Sequence, residues 1–321
     1  MKEQLQKIEA GLTQLSLGDQ PENLYDPIRY LLSLGGKRLR PMLVLLGYGL
    51  KKEDYEVIVS PALAVEVFHN FTLMHDDIMD EAPIRRGQPT VHEKWNNTVA
   101  ILSGDTMMVK AYDQLLEGPE QSLPDAIRKF NKCAVEVCEG QQLDMNFEDF
   151  DTVTEAQYIE MIRLKTAVLL GFSLEYGGLL AGMDDSQLSQ LNAIGEKAGI
   201  GFQLMDDLLD VYGDKAKFGK QVGGDIVSNK KTYLLIKALE LSNDSQRKEM
   251  DRWLSATDFD INEKVDAIKN IYGELGIFEL TQQKMNEYYD EAFALLETLD
   301  ARAEGKQALV DFFENLMKRE K

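Results

Sequence analysis

Apolar residues recur three and four positions apart along almost the whole chain, the interval at which an α-helix returns to the same face. The pattern predicts helices over about 2–16, 22–34, 41–50, 56–80, 93–117, 122–147, 153–181 and 186–212. Further helices are expected over about 230–243, 245–255, 262–272, 275–300 and 304–319. Pro21, Pro41, Pro61, Pro83, Pro89 and Pro124 fall at expected helix starts or in loops, where the missing N–H is tolerated. No segment alternates in the strand period between hairpin turns. The expectation is therefore an all-α fold in one domain covering 1–321, without a linker or low-complexity segment.

Some of these helices are apolar nearly all round, notably the run before Asp76 and the stretch Ala167–Phe172. Such helices belong inside a large bundle. Two apolar runs lead into the same acidic pattern. Asp76-Asp77-Ile78-Met79-Asp80 recurs as Asp206-Asp207-Leu208-Leu209-Asp210, the one internal repeat of the chain. The first and fifth positions of DDxxD share a helix face about one turn apart, where like charges repel unless a cation lies between them. A single acidic run reads equally as a solvated face or as charge placed at a helix N-terminus. Two copies, each behind an apolar run and each followed by basic residues, favour Mg²⁺, which takes one or two carboxylates and completes its shell with water and phosphate oxygens. Two such faces directed at each other would hold a small Mg²⁺ cluster around a diphosphate, and helix bundles build metal sites from facing helices in this way.

The formal charge of −20 excludes nucleic acid and anionic membrane as main partners, so an anionic substrate needs local cations or metal. Several cations are available. Gly35-Gly36-Lys37-Arg38-Leu39-Arg40-Pro41 offers a close turn from which Lys37 and Arg40 can reach one anion, or simply a solvated loop. Arg85-Arg86-Gly87 follows the first acidic motif, and two adjacent guanidinium forks either serve different phosphate groups or neutralise the motif by ion pairing. Gly219-Lys220, Gly223-Gly224-Asp225 and Asn229-Lys230-Lys231-Thr232 follow the second motif and read as a lid over phosphate oxygens. Lys165-Thr166 interrupts an apolar helix, which buries a charge unless it faces a cavity. Carboxylates, cations and apolar helices together suit a substrate with a diphosphate head and a hydrocarbon tail.

Cys133 and Cys138 match no metal or redox spacing and read as reduced thiols of a cytoplasmic protein. The N-terminal stretch lacks the apolar block of a signal peptide, and no run is expected to reach the length of a membrane span.

These motifs, in this order and at this separation, resemble the trans-isoprenyl diphosphate synthases (polyprenyl synthetases), and the resemblance covers nearly the whole chain. It implies the isoprenoid synthase fold around a central cavity, usually in a homodimer, and a Mg²⁺-dependent transfer of an allylic group from its diphosphate to isopentenyl diphosphate. The motif positions carry the family's roles over. Asp76 and Asp80, with Asp206 and Asp210, would bind Mg²⁺, about three ions with diphosphate present, and Asp77 and Asp207 are counted with them as metal-binding residues. Arg85, Lys165, Lys220 and Lys230 would contact the allylic diphosphate, with Thr166 and Gln203 beside them. Lys37, Arg40, His69 and Arg86 match positions that bind isopentenyl diphosphate. On its residue pattern alone, His69 reads as a satisfied core histidine. Gln141 and Asp144 match a supporting polar motif.

Product length in the family depends on bulk four, five and eight residues before the first motif, here Thr72, Phe71 and Phe68. The pattern resembles short-chain synthases and implies geranylgeranyl diphosphate (C20), with farnesyl diphosphate (C15) as the shorter option. Ordinary core aromatics are the competing reading of both phenylalanines. A terpene cyclase shares the fold, but its second metal site usually has an Asn/Ser/Glu pattern. A non-catalytic partner subunit would lack acidic or basic contacts that are all present. The C-terminal Lys318-Arg319-Glu320-Lys321 reads as a frayed, solvated end, with closure over the site, as the resemblance implies for basic tails, as the alternative.

Overall fold

The computed structural model describes residues 1–213 and 223–318. Their secondary structure is almost entirely helical, as the periodicity predicts. The chain forms two compact units, each assembled from three separated segments. The first comprises 1–132, 172–192 and 299–309, and the second the described residues of 133–171, 193–298 and 310–321.

In the first unit, α1 (Lys2–Thr13), α2 (Glu22–Ser33) and α3 (Leu39–Gly49) precede a 3₁₀ turn and the long α4 (Val59–Met79). A short α5 (Val91–Lys94) leads to α6 (Asn97–Leu116), whose first turn is capped by the Asn96 side chain accepting from the Val99 N–H at 2.9 Å. α4 packs along α6 and α3, and buries Leu63, Val65, Val67 and Phe68. Complete burial of each such side chain contributes about 1.5–3 kcal/mol. Gly104 permits the close α4–α6 approach, because a Cβ there would lie 2.2 Å from His75 Nε2.

One element departs from the all-helical expectation. Ile84–Arg85 (β1) and Gln88–Pro89 (β2) form a two-residue antiparallel ladder. Its turn, Arg86-Gly87, has φ of 54° and 75°, the paired positive values of a type I′ hairpin. The usual Asn-Gly or Asp-Gly signal is absent, which is why the sequence pattern conceals the hairpin.

α7 (Leu123–Glu148) begins in the first unit and continues in the second. The predicted helix over 153–181 is α8 (Glu155–Ile162), a π-helical turn (Arg163–Ala167) and α9 (Val168–Ala181). Thr154 and Gln157 close a capping box at its start. Then come α10 (Asp185–Tyr212), α11 (Gly224–Val227), α12 (Tyr233–Leu241), α13 (Asp244–Ser255), α14 (Ile261–Glu274), α15 (Ile277–Thr298) and α16 (Ala303–Met317). Leu208, Leu234, Met250, Trp253, Ile268 and Tyr272 form the core of the second unit.

Contrary to the sequence expectation, residues 55–79 and 155–181 are long and apolar enough by length and composition to cross a bilayer. Their apolar windows are 61% and 83% buried inside the protein, as befits core helices.

Candidate functional site

Both acidic motifs lie at helix C-termini. Asp76 and Asp77 occupy the last turn of α4 with Asp80 as its C-cap, and Asp206, Asp207 and Asp210 lie in the last two turns of α10. The helix dipole is negative at this end, so these carboxylates oppose it, and the favourable N-terminal alternative is excluded. An arrangement this unfavourable calls for cations.

In the first unit the middle aspartate is turned inward. Asp77 is buried, and Arg85 grips it with Nε 2.8 Å from each carboxylate oxygen and Nη2 2.6 Å from Oδ1. Asp76 is half-buried and Asp80 exposed. Arg85 is thus an ion-pair partner of the motif, while Arg86, the next residue, donates through Nη1 to the Gly35 carbonyl. The hairpin sends the two guanidinium groups in different directions. His69 lies on α4 two turns before Asp76. Burial lowers its imidazole well below the ordinary range, and the charges of Arg40, Arg86, Arg85 and Arg38 act the same way. His69 is therefore neutral, a hydrogen-bonding group among cations. Lys37 is exposed in the turn before α3, and Arg40 is half-buried in the first turn of α3.

The proposed floor residues differ among themselves. Phe68 is fully buried, edge-on to Phe130 at 5.1 Å, so it belongs to the core aromatic cluster. Phe71 is half-buried, 5.6 Å from Phe68 and 4.8 Å from the His75 ring. Thr72 is half-buried and donates to the His69 carbonyl at 2.8 Å.

The second unit repeats the inward middle aspartate. Asp207 is buried, accepting from the Tyr158 hydroxyl on one oxygen and from Gln203 Nε2 at 3.1 Å on the other. Burial raises its carboxyl well above the ordinary range, with the Asp225 charge adding to the shift and the two hydrogen bonds opposing it. Thr166 donates to Gln203 Oε1 at 3.1 Å, so one chain of hydrogen bonds joins α8, the π turn and α10. Asp206 and Asp210 are half-buried one turn apart, and Asp210 accepts from the Asp225 N–H at 2.9 Å.

Lys165 sits in the π turn, a rare conformation often found at functional sites. Its charge is partnered: Nζ lies 2.5 Å from Asp144 Oδ2, and Lys230 Nζ lies 3.5 Å from the same oxygen. Burial alone would raise the Asp144 carboxyl, but Lys230 and Lys165 outweigh it and hold it below the ordinary range. Gly140, one turn before Asp144 on α7, lets α7 approach the turn, since a Cβ there would meet Lys165 N at 2.1 Å. Gln141 is buried with neither amide atom hydrogen-bonded among the described residues. Lys220 lies outside the described residues.

No group of three or more His, Cys, Asp or Glu side chains capable of holding a metal occurs among the described residues. The carboxylates come in pairs, Asp76 with Asp80 and Asp206 with Asp210. Paired hard oxygen donors fit Mg²⁺, which draws its other ligands from water and substrate phosphates.

Sequence reasoning missed Arg38, Glu66 and Tyr158. Arg38 and Glu66 are buried and paired at 2.7 Å. Glu66 left a legible signal, one carboxylate inside the apolar run 62–68, which demands a partner. Tyr158 left none.

The polyprenyl synthetase family profile matches residues 21–274. A geranylgeranyl pyrophosphate synthase from Geoglobus acetivorans is 37% identical over 100% of this chain and 98% of its own length. A geranylfarnesyl diphosphate synthase from Natronomonas pharaonis is 39% identical over 68% of this chain and 70% of its own. A crystal structure of a geranylgeranyl pyrophosphate synthase, 40% identical, superposes with a TM-score of 0.92 and covers 100% of this chain and 98% of that one. By profile, sequence and fold, the chain belongs to the polyprenyl synthetase family and is a trans-prenyltransferase.

Proposed function

We infer that the protein condenses isopentenyl diphosphate with an allylic diphosphate in the presence of Mg²⁺ and makes geranylgeranyl diphosphate. One observation carries this reading: two acidic motifs end helices against the dipole, each with its outer aspartates one turn apart and its middle aspartate bonded within the protein. In this reading Asp76, Asp80, Asp206 and Asp210 bind the metal, while Asp77 and Asp207 orient their helices. Mg²⁺ on these pairs would withdraw charge from the diphosphate oxygens. Arg85, Lys165, Lys220 and Lys230 add fixed positive charge around the same allylic diphosphate, with Thr166 and Gln203 beside it, so that its C–O bond ionises to an allylic cation and pyrophosphate. Lys37, Arg40, Arg86 and neutral His69 hold isopentenyl diphosphate with its alkene close to that cation. The alkene attacks, and the departing pyrophosphate takes the proton. Apolar walls exclude the water that would quench the cation. Phe71, half-buried and bulkier than the half-buried Thr72, limits tail length.

The same proposal takes the 321 residues as one functional domain, supported by the interleaved segments of the two units. A cytoplasmic homodimer completes it. Ile101, Leu102, Val109 and Leu116 form an exposed apolar face on α6 that a second copy would cover. The test is incubation of the purified protein with Mg²⁺, isopentenyl diphosphate and farnesyl diphosphate, with products identified by mass. A C20 prenyl diphosphate supports the reading. Cyclic hydrocarbons or no turnover would replace it with a cyclase or a binding subunit.

A further inference from the structure

Arg38 stands in the middle of the basic turn yet directs its charge into the protein. Its side chain is 1% exposed, with Nη1 donating to Glu66 at 2.7 Å, Nε to Glu9 at 2.8 Å and Nη2 to the Leu32 carbonyl at 2.9 Å. The fork therefore ties together α1, the end of α2 and α4. Asn70 Nδ2 supports Glu66 from one turn further along α4, at 3.2 Å. This is a demanding arrangement. Arg38 holds φ of 48°, a left-handed conformation unfavourable for a side chain with a Cβ, after Gly35 at 77° and Gly36 at 148°. Such a conformation persists only where its surroundings over-determine it.

The anchor has consequences for its neighbours. With Arg38 fixed inward, Lys37 before it and Arg40 after it are carried on a turn of set shape. Glu66 precedes His69 by three residues on α4, so the anchor registers that turn against His69. Gly36 completes the geometry, because a Cβ there would lie 3.0 Å from Arg86 Nη2 and 3.3 Å from Arg38 Nη1. Together with Glu9, the buried Glu66 carboxylate supplies negative charge where these guanidinium groups share one corner of the first unit.

We propose that the Arg38–Glu66 pair is a positioning element for isopentenyl diphosphate: it holds the 35–38 turn so that Lys37, Arg40, His69 and Arg86 converge on one diphosphate. This rests on the assignment of those four residues to isopentenyl diphosphate. A planar fork is required, because a lysine ammonium cannot reach Glu9, Glu66 and the Leu32 carbonyl with fixed directions.

The test is steady-state kinetics on Arg38→Gln, Arg38→Lys and Glu66→Gln, varying each substrate separately, beside Lys37→Ala and Arg40→Ala. All three anchor variants should raise KM for isopentenyl diphosphate about tenfold or more, with the allylic KM within about twofold and Arg38→Lys the mildest. Equal effects on both substrates, or none, would overturn the proposal and leave the pair a purely structural one. If Lys37→Ala and Arg40→Ala leave the isopentenyl KM unchanged, the underlying assignment fails instead. Should the buried variants not fold, Glu9→Gln reads the same anchor from its half-exposed side, with the same split expected and the same null result refuting it.

Discussion

Replacing Asp144 with asparagine removes one negative charge from between two lysines while keeping the side-chain shape. The Lys165–Asp144 contact is short, and its partners are only 21% and 13% exposed, so it is a charge-assisted hydrogen bond largely out of water. Such bonds contribute about 1.5–3 kcal/mol. Lys230, 44% exposed and 3.5 Å away, adds less than about 1 kcal/mol because solvent screens it. The asparagine oxygen still accepts a hydrogen bond, so the expected net loss is about 1.5–2.5 kcal/mol. If the carboxylate's task is to aim both lysines at the allylic diphosphate, this corresponds to a fall of about ten- to seventy-fold in kcat/KM for that substrate. Steady-state kinetics with each diphosphate varied in turn would measure it, and the isopentenyl KM should stay within about twofold. The melting temperature should fall by a few degrees. The folded carboxyl is depressed, so its contribution is complete above the ordinary carboxylate value and disappears as pH falls through the folded one. The melting difference between wild type and variant should then be flat from about pH 8 to 5 and close only below about pH 4. A lower melting temperature with unchanged kinetics would refute the aiming role and leave Asp144 a stabilising residue alone.

Other outcomes follow from the same geometry. Gly140→Ala should cost about 1–3 kcal/mol of stability and reduce activity, since its Cβ would strike the Lys165 backbone rather than a flexible side chain; thermal melting and turnover check both. Phe71→Ala should lengthen the product by about one isoprene unit by mass, because the fully buried Phe68 remains behind it; an unchanged product would place the floor elsewhere. His69 is held neutral in the folded protein, so the unfolded chain takes up a proton first as pH falls below about 6.5. Wild-type stability should then decline from pH 7 to 5 by up to about 1.4 kcal/mol per pH unit from this residue, and His69→Gln should flatten the curve. Leu102→Glu with Val109→Glu on the exposed face of α6 should convert a dimer to a monomer by light scattering, and an unaltered mass would move the interface.

The helices were legible because their apolar spacing is long and regular, and predicted boundaries such as 186–212 lie within a residue or two of Asp185–Tyr212. The elements that escaped are those without a period. The hairpin at Ile84–Pro89 is too short to alternate, and its Arg-Gly turn carries no asparagine or aspartate. The π turn at Arg163–Ala167 inserts into a continuous helical pattern, and only Lys165-Thr166 marks it in the sequence. α11 has four residues, less than the periodicity needs. The acidic motifs were plain as composition, but the division of labour within them was not. A run of aspartates does not show that Asp77 meets Arg85 or that Asp207 meets Tyr158. Those contacts depend on where a hairpin and a neighbouring helix arrive. Arg38 likewise reads as one of three basic residues in its turn, and only its backbone conformation and its buried Glu66 partner separate it from Lys37 and Arg40.

The most direct measurement is calorimetric binding of an unreactive farnesyl thiodiphosphate across a series of Mg²⁺ concentrations, in the wild type and in Asp76→Asn and Asp206→Asn. If the outer aspartates carry the metal, wild-type affinity rises steeply with Mg²⁺ and each variant loses most of that rise while its melting temperature is retained. Metal-dependent binding that survives in both variants, or wild-type binding indifferent to Mg²⁺, would contradict the assignment of these carboxylates.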